Sequence, residues 1–360
     1  MRISIIGGGP VGLTMALDLI LKGHEPMIWV GSIKKFQSLH PDITFTGALG
    51  AKKLRPHITE SIDDIASHSN LLIICTKASD HRTIARLLAV HLNHKKTIIL
   101  VPGRTFGCLE FRHELLKNNR CISKLPVLAE CQTTPFSCRY TGVNEIKVYA
   151  KKMKVSTSVL SLSDLPRLQQ YICEADLDYF SIVRSSLITS MNNIGPIMHC
   201  PPMLLNVSLV DSSELWARKL RSPAHFYSEF ISPALAKLIQ NLDYERLTIA
   251  SAILKKGEEK SILDWGFETY GLREKSFYEA LQSNKSYGPI ISPNSLNHRY
   301  LTEDIPTGLV PWESLAKKIG LTCPLISLLI DLSIFLVEFD FRETGRSLEN
   351  LHINDIKHLK

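Results

Sequence analysis

Two stretches in the second half of the chain hold the side chains best suited to moving protons and gripping charge. The first is Met191-Asn192-Asn193-Ile194-Gly195-Pro196-Ile197-Met198-His199-Cys200-Pro201-Pro202, one histidine among apolar residues with prolines setting the chain direction. An imidazole titrates near neutrality, so it can take a proton and give it back. The same surroundings also suit a core histidine whose nitrogens are simply satisfied. The second is Asn297-His298-Arg299-Tyr300-Leu301-Thr302-Glu303-Asp304-Ile305-Pro306, a basic group and two carboxylates in a turn-punctuated stretch. It reads either as a surface ion-pair cluster or as a site for a charged ligand.

A third stretch opens the chain. Ile3 to Ile6 read as a short buried strand, Gly7, Gly9 and Gly12 fit G-x-G-x-x-G, and an apolar helix pattern follows at Leu13, Ala16, Leu17 and Ile20. Gly7 allows a tight turn, Gly9 lets a pyrophosphate approach the backbone, and Gly12 lets helix and strand pack closely. The helix start, with Pro10 and Val11, offers free N–H groups and a partial positive charge. Strand, loop and helix together imply a dinucleotide. A signal peptide is a poorer reading, because the glycines, Pro10 and Asp18 interrupt the apolar run.

Met27-Ile28-Trp29-Val30 reads as the second strand. NAD sites place an acidic residue near its end to bond the ribose hydroxyls. Here Val30 stands there, followed by Gly31-Ser32-Ile33-Lys34-Lys35. No carboxylate repels a 2′-phosphate, while Ser32 can bond one and Lys34 or Lys35 can supply charge. NADP(H) is therefore preferred and NAD(H) remains possible, the lysines being surface residues in that case.

Ile43 to Gly47 and Lys52 to Pro56 resemble a small hairpin. Helix and strand patterns then alternate: a helix at Asp63 to Ser67, a strand at Asn70 to Lys77, a helix from Asp80 to Leu92, and strands at Lys96 to Val101 and Pro126 to Glu130. The pattern predicts an α/β fold, a Rossmann-type doubly wound parallel sheet with ligand at the carboxyl ends of its strands. Thr76, Pro102, Gly103 and the stretch from Glu130 to Tyr140 fall at those ends and are expected around the nicotinamide half. A strand at Ile146 to Lys154 and a helix near Leu165 to Cys173 close this half. From about Val183 helices predominate: Ser228 to Leu254, Glu274 to Gln282, Glu313 to Gly320 and Cys323 to Val337. The expectation is a cofactor domain over 1–182 and a mostly α-helical substrate domain over 183–360.

The 360 residues suffice for two cores. A net charge of +7 with scattered basic residues suits an anionic substrate or cofactor better than nucleic acid. The eight cysteines form no C-x-x-C pair, so no metal site is read, and free thiols in a reducing, cytoplasmic setting are expected. The apolar run from Cys323 to Val337 carries Asp331 and is too short for a membrane span. Oligomeric state is not legible.

At these motifs the chain resembles the opine dehydrogenases, the octopine/nopaline dehydrogenase family, and looks closest to the octopine synthase type of crown-gall plasmids. The resemblance rests on Gly7 through Gly12, Thr133-Thr134-Pro135-Phe136-Ser137-Cys138-Arg139, Asn193 through His199, Asp243-Tyr244-Glu245-Arg246-Leu247, Asn297 through Asp304, and Thr344-Gly345-Arg346-Ser347-Leu348. It implies an NAD(P)-dependent oxidoreductase acting on CH–NH groups. An amino acid condenses with a 2-keto acid, typically pyruvate, and the imine is reduced, reversibly, to an opine. His199 matches the family's catalytic histidine and Asp304 its carboxylate partner. Arg299 is the candidate to grip a substrate carboxylate, because its fork bonds carboxylates bidentately. Asn193 and Thr134 are candidate polar contacts, and Glu130 could face a basic side chain or the substrate ammonium. Tyr300 and Glu303 could simply hold the loop. Cys200 departs from the proline that many relatives carry after the histidine. The competing readings are a ketopantoate reductase-like enzyme, reducing a keto acid without an amine, and a non-catalytic NADP-binding sensor.

Overall fold

A computed structural model of the chain describes residues 1–34, 36, 42–119, 124–220, 222–274 and 276–354. Lys35, one of the residues expected at the cofactor, lies outside the described residues. The chain forms two compact units, Met1–Thr189 and Ser190–Lys360. The sequence expectation put the change of character at 182/183.

In the first unit, β1 (Arg2–Ile6) pairs in parallel with β2 (Glu25–Trp29) on one side and with β6 (Leu71–Ile74) on the other. Beyond β6 come β7 (Thr97–Leu100) and β8 (Val127–Cys131), and beyond β2 comes β5 (Ile58–Thr59), all parallel. β11 (Val155–Val159) runs antiparallel to β8 and carries β12 (Phe180–Ile182) at its far edge. The order β12-β11-β8-β7-β6-β1-β2-β5 reverses direction at β1, so β1 and β6 flank a topological switch point. This is the Rossmann-type sheet that the alternation of strands and helices predicted.

The strands are apolar on both faces because both faces are covered. Ile3, Ile5, Leu71 and Ile73 pack with Leu13 and Leu17 of the helix Pro10–Leu21 in one core. Ile6, Leu72, Ile74 and Leu100 pack in another with Ile84 and Leu88 of His81–Leu88 and Phe111 of Gly107–Asn118. The predicted hairpin exists as β3 (Ile43–Gly47) and β4 (Lys52–Leu54). It belongs to a second, four-stranded sheet, β4-β3-β10-β9, with β9 (Phe136–Gly142) and β10 (Glu145–Lys151). The single strand expected at Ile146 to Lys154 is part of this sheet. It buries Ile146 and Val148 and turns Glu145 and Lys147 outward.

The second unit is helical. The segment expected as one helix from Ser228 to Leu254 is two, Phe226–Glu229 and Pro233–Ile253. Pro233 has no N–H to give to a preceding turn and starts the second helix, which Ser232 caps by accepting from Leu235 N–H (3.2 Å). The remaining helices include Gly195–Leu205, Ile262–Tyr270, Val310–Lys318 and Pro324–Val337. Among the described residues no helix is long and apolar enough to cross a membrane.

Candidate active site

In the first unit the glycine loop is shaped by close approaches. Gly7 has φ +116°, a conformation open to glycine. A Cβ on Gly12 would lie 1.9 Å from the Gly7 carbonyl oxygen, so only glycine lets the helix start this close to the strand. A Cβ on Gly9 would meet nothing within 4 Å, which leaves room over the helix N-terminus for phosphate. Thr76, at the end of β6 across the switch point, buries an Oγ1 with no hydrogen-bond partner among the described residues. A tight turn, open space over free amides and an unmatched hydroxyl together fit a dinucleotide.

Other expected cofactor residues serve the fold first. Pro102 and Gly103 are buried, and a Cβ on Gly103 would sit 2.4 Å from Glu130 Cβ. Glu130 itself is fully buried: its Oε2 accepts from Cys108 N–H (2.7 Å) and its Oε1 from Thr189 Oγ1 (2.7 Å). The carboxylate thus ties β8 to two helices. Thr134 is partly buried and donates its hydroxyl to Phe136 O (3.0 Å). Ser32 is partly buried and Lys34 exposed at the tip of β2. Beside Thr134, Lys152 is buried and donates to Thr133 Oγ1 (2.8 Å). Burial, and then the Arg104 charge, pull its ammonium down to about 7.

In the second unit the two chemistry-bearing stretches meet. His199 Nδ1 lies 2.6 Å from Asp304 Oδ2. Asp304 is fully buried, whereas the imidazole keeps 15% of its surface. A buried carboxylate on Nδ1 holds that nitrogen protonated and leaves the lone pair on Nε2. Nε2 lies 2.9 Å from the Tyr227 hydroxyl. Tyr300 stacks flat on the imidazole, ring centroids 3.8 Å apart and planes within 15°. The ring is thus fixed at both nitrogens and on one face.

Each contact follows from local structure. His199 rides on Gly195–Leu205, and Asp304 opens a π-helical turn, Ile305–Leu309. A Cβ on Gly308 of that turn would come within 2.0 Å of Pro196 Cγ, so glycine is what allows the two elements to touch. Tyr227 sits on the short helix Phe226–Glu229, pinned where Phe226 N–H donates to Ile290 O (2.8 Å) and Ser292 N–H to Ala224 O (2.9 Å). Tyr287 stacks on Tyr227 at 4.3 Å. Burial, with Tyr270 and Tyr227 alongside, pushes the Tyr287 hydroxyl well above its usual range.

Arg299 begins the turn Arg299–Thr302, and its Nη2 forms an ion pair with Glu303 Oε2 (2.8 Å). Its buried Nε has no partner among the described residues. Glu303 therefore orients the guanidinium and leaves one donor to a ligand. Asn193 is buried and its Oδ1 accepts from Gly195 N–H (3.2 Å), turning the chain into the helix of His199. The Asp243–Arg246 motif is structural. Arg246, fully buried, bonds Asp243 Oδ1 (2.6 Å), Met191 O (2.5 Å) and Lys260 O (2.6 Å). It anchors the stretch just ahead of His199. Cys200 is buried and its thiol points at Tyr300 O (3.5 Å). Tyr227 went unseen in the sequence, for it lies in no motif and its ring reaches His199 only through the fold.

The fold and these residues define a nicotinamide-dinucleotide oxidoreductase with a Rossmann-type unit and a helical unit. Residues 182–335 match the family model of the NAD/NADP octopine/nopaline dehydrogenase α-helical domain, and residues 3–150 match that of ketopantoate reductase. The chain is 30% identical to an opine dehydrogenase of Arthrobacter sp. (strain 1C), over 98% of this chain and 95% of that one. It is 23% identical to the Ocs protein of Agrobacterium tumefaciens (strain Ach5), again over 98% and 95%. Among solved structures, octopine dehydrogenase with NADH and L-arginine shares the fold: 19% identity, TM-score 0.74, covering 99% of this chain and 97% of that one. A yersinopine dehydrogenase aligns with TM-score 0.66 at 13% identity, over 98% and 97%. The chain belongs to the opine dehydrogenase family.

Proposed function

We propose that the chain is an opine dehydrogenase that joins an amino acid to a 2-keto acid and reduces the resulting imine to an N-carboxyalkyl amino acid, reversibly. It thereby acts on a CH–NH bond. The observation that carries this reading is the His199–Asp304 pair at 2.6 Å, in a chain of this family. Relatives support the substrate classes: solved octopine dehydrogenase structures hold L-arginine in one case and pyruvate in another. Pyruvate is the proposed keto acid.

His199 removes a proton from the substrate ammonium, freeing the amine to attack the keto carbon. Its imidazolium then protonates the carbinolamine oxygen, which leaves as water. Asp304 holds Nδ1–H throughout and stabilises the charged ring. Because Tyr227 Oη lies 2.9 Å from Nε2, the proton is relayed through that hydroxyl, which gives its own proton to Nε2 as it takes the substrate's and returns one by the reverse path. Arg299, oriented by Glu303, grips the keto-acid carboxylate, and Asn193 and Thr134 are proposed polar contacts. Gly7, Gly9, Pro10, Val11 and Gly12 would hold the pyrophosphate of the cofactor, with Thr76 across the switch point, and the nicotinamide would supply the hydride. At the tip of β2, Ser32 and Lys34 favour a 2′-phosphate, whereas Glu60, the residue after β5 (Ile58–Thr59), opposes one.

The test is to incubate the protein with reduced cofactor, pyruvate and a panel of amino acids, and to follow the nicotinamide absorbance. Cofactor loss that needs an amino acid supports the proposal. The match of residues 3–150 to ketopantoate reductase favours a second reading, reduction of a keto acid alone. Equal rates with and without amine would establish that reading instead.

A further inference from the structure

The tip of β2 lacks its acid in sequence, but the sheet brings one to the same level from the neighbouring strand. β5 pairs with β2 in the register Ile28↔Ile58 and Trp29↔Thr59, and Val30 N–H donates to Thr59 O (2.9 Å). Glu60 therefore stands beside Val30, about 4.8 Å away across the sheet. Its backbone is fixed by Trp29 Nε1, which donates to Glu60 O (2.9 Å), and by Ser61, which caps the helix Ile62–His68 through Asp64 N–H (3.0 Å). The side chain turns back toward β2, where Glu60 Oε1 accepts from Ile33 N–H. Its carboxylate thus lies against the segment Gly31–Ile33, where a Rossmann site receives the ribose hydroxyls.

We propose that Glu60 supplies the ribose-binding carboxylate that β2 lacks, and so selects NAD(H) over NADP(H). Oε1 is held by the Ile33 amide, and Oε2 is left to accept from a ribose hydroxyl. A 2′-phosphate carries about two negative charges. It would meet the carboxylate and compete with it for the amide at the start of the helical turn. Lys34 and Glu60 are both exposed, so solvent screens both charges, but only Glu60 is tied to Gly31–Ile33, through the Ile33 amide. The proposal reverses the preference read from the sequence, because the deciding residue follows a different strand, β5. It rests on the reading of the first unit as a nicotinamide-dinucleotide site.

The experiment measures binding of NADH and NADPH to the full chain by fluorescence of the reduced nicotinamide, with no amino acid or keto acid present. Wild type is expected to bind NADH more tightly. Glu60→Gln keeps an acceptor for Ile33 N–H but loses the charge, and is expected to raise the NADPH-to-NADH affinity ratio by about tenfold or more. Tighter NADPH binding by wild type overturns the proposal. So does an unchanged ratio in the variant, which would leave Glu60 only as an acceptor for the Ile33 amide. Binding of neither cofactor would overturn the dinucleotide site itself. Failure of the opine reaction alone leaves these constants measurable, so the two ideas fail separately.

Discussion

His199 Nδ1 and Asp304 Oδ2 stand 2.6 Å apart, and the buried aspartate holds the more exposed imidazole in one tautomer. Asp304→Asn keeps the size but offers an amide in place of the charge, so the ring is no longer fixed as an Nε2 base. Turnover is expected to fall by at least about 100-fold, and His199→Ala by a similar factor. NADH binding, measured by fluorescence, is expected to stay at the wild-type value. Full activity in either variant would remove this pair from the reaction.

Arg299 is held by Glu303 and keeps its Nε for a ligand. Lysine preserves the charge but loses the fork. Arg299→Lys is therefore expected to raise KM for the keto acid by about tenfold or more, while KM for the amino acid moves less. Steady-state kinetics with each substrate varied in turn distinguishes the two. An effect confined to the amino acid would reassign the guanidinium to that substrate.

Much of this arrangement was legible in the sequence. The glycine loop was readable because Gly7 and Gly12 answer local demands, a positive φ and a helix–strand approach, that leave their mark within a few residues. His199 and Asp304 were readable as stretches with a family resemblance, though their contact spans 105 positions. Tyr227 and Glu60 were not. Each acts through register or tertiary packing, and neither has a neighbour in sequence that betrays it. The second sheet escaped notice because it is joined through β10, a half-buried strand whose partner β3 lies a hundred residues away.

The buried Arg246–Asp243 pair was visible as a motif, but its role was not. Because Arg246 also holds Met191 O and Lys260 O, removing its partner strands a buried charge. Asp243→Ala is expected to cost about 3–5 kcal/mol of stability, read from urea unfolding. A loss below 1 kcal/mol would show that the site ahead of His199 is anchored by other contacts.

Lys152 gives stability a pH dependence. Its folded-state value, about 7, lies below the 10.5 of an ordinary lysine, so between the two the unfolded chain binds more protons than the folded one. That burial cost is fully present below pH 7 and lifts as pH rises toward 10, by at most about 1.4 kcal/mol per pH unit. Between pH 7 and 9 the urea midpoint of wild type should therefore rise relative to that of Lys152→Met. Parallel curves for the two proteins would show that the lysine titrates as if in water.

In the proposed reaction a carbon–nitrogen bond is formed and then reduced. Mass spectrometry of the product from pyruvate, an amino acid and reduced cofactor tests it most directly. The expected product is a secondary amine whose mass is that of the two substrates together less one oxygen atom, absent when either substrate is omitted. Lactate as the only reduced product, formed at the same rate without an amino acid, would contradict it.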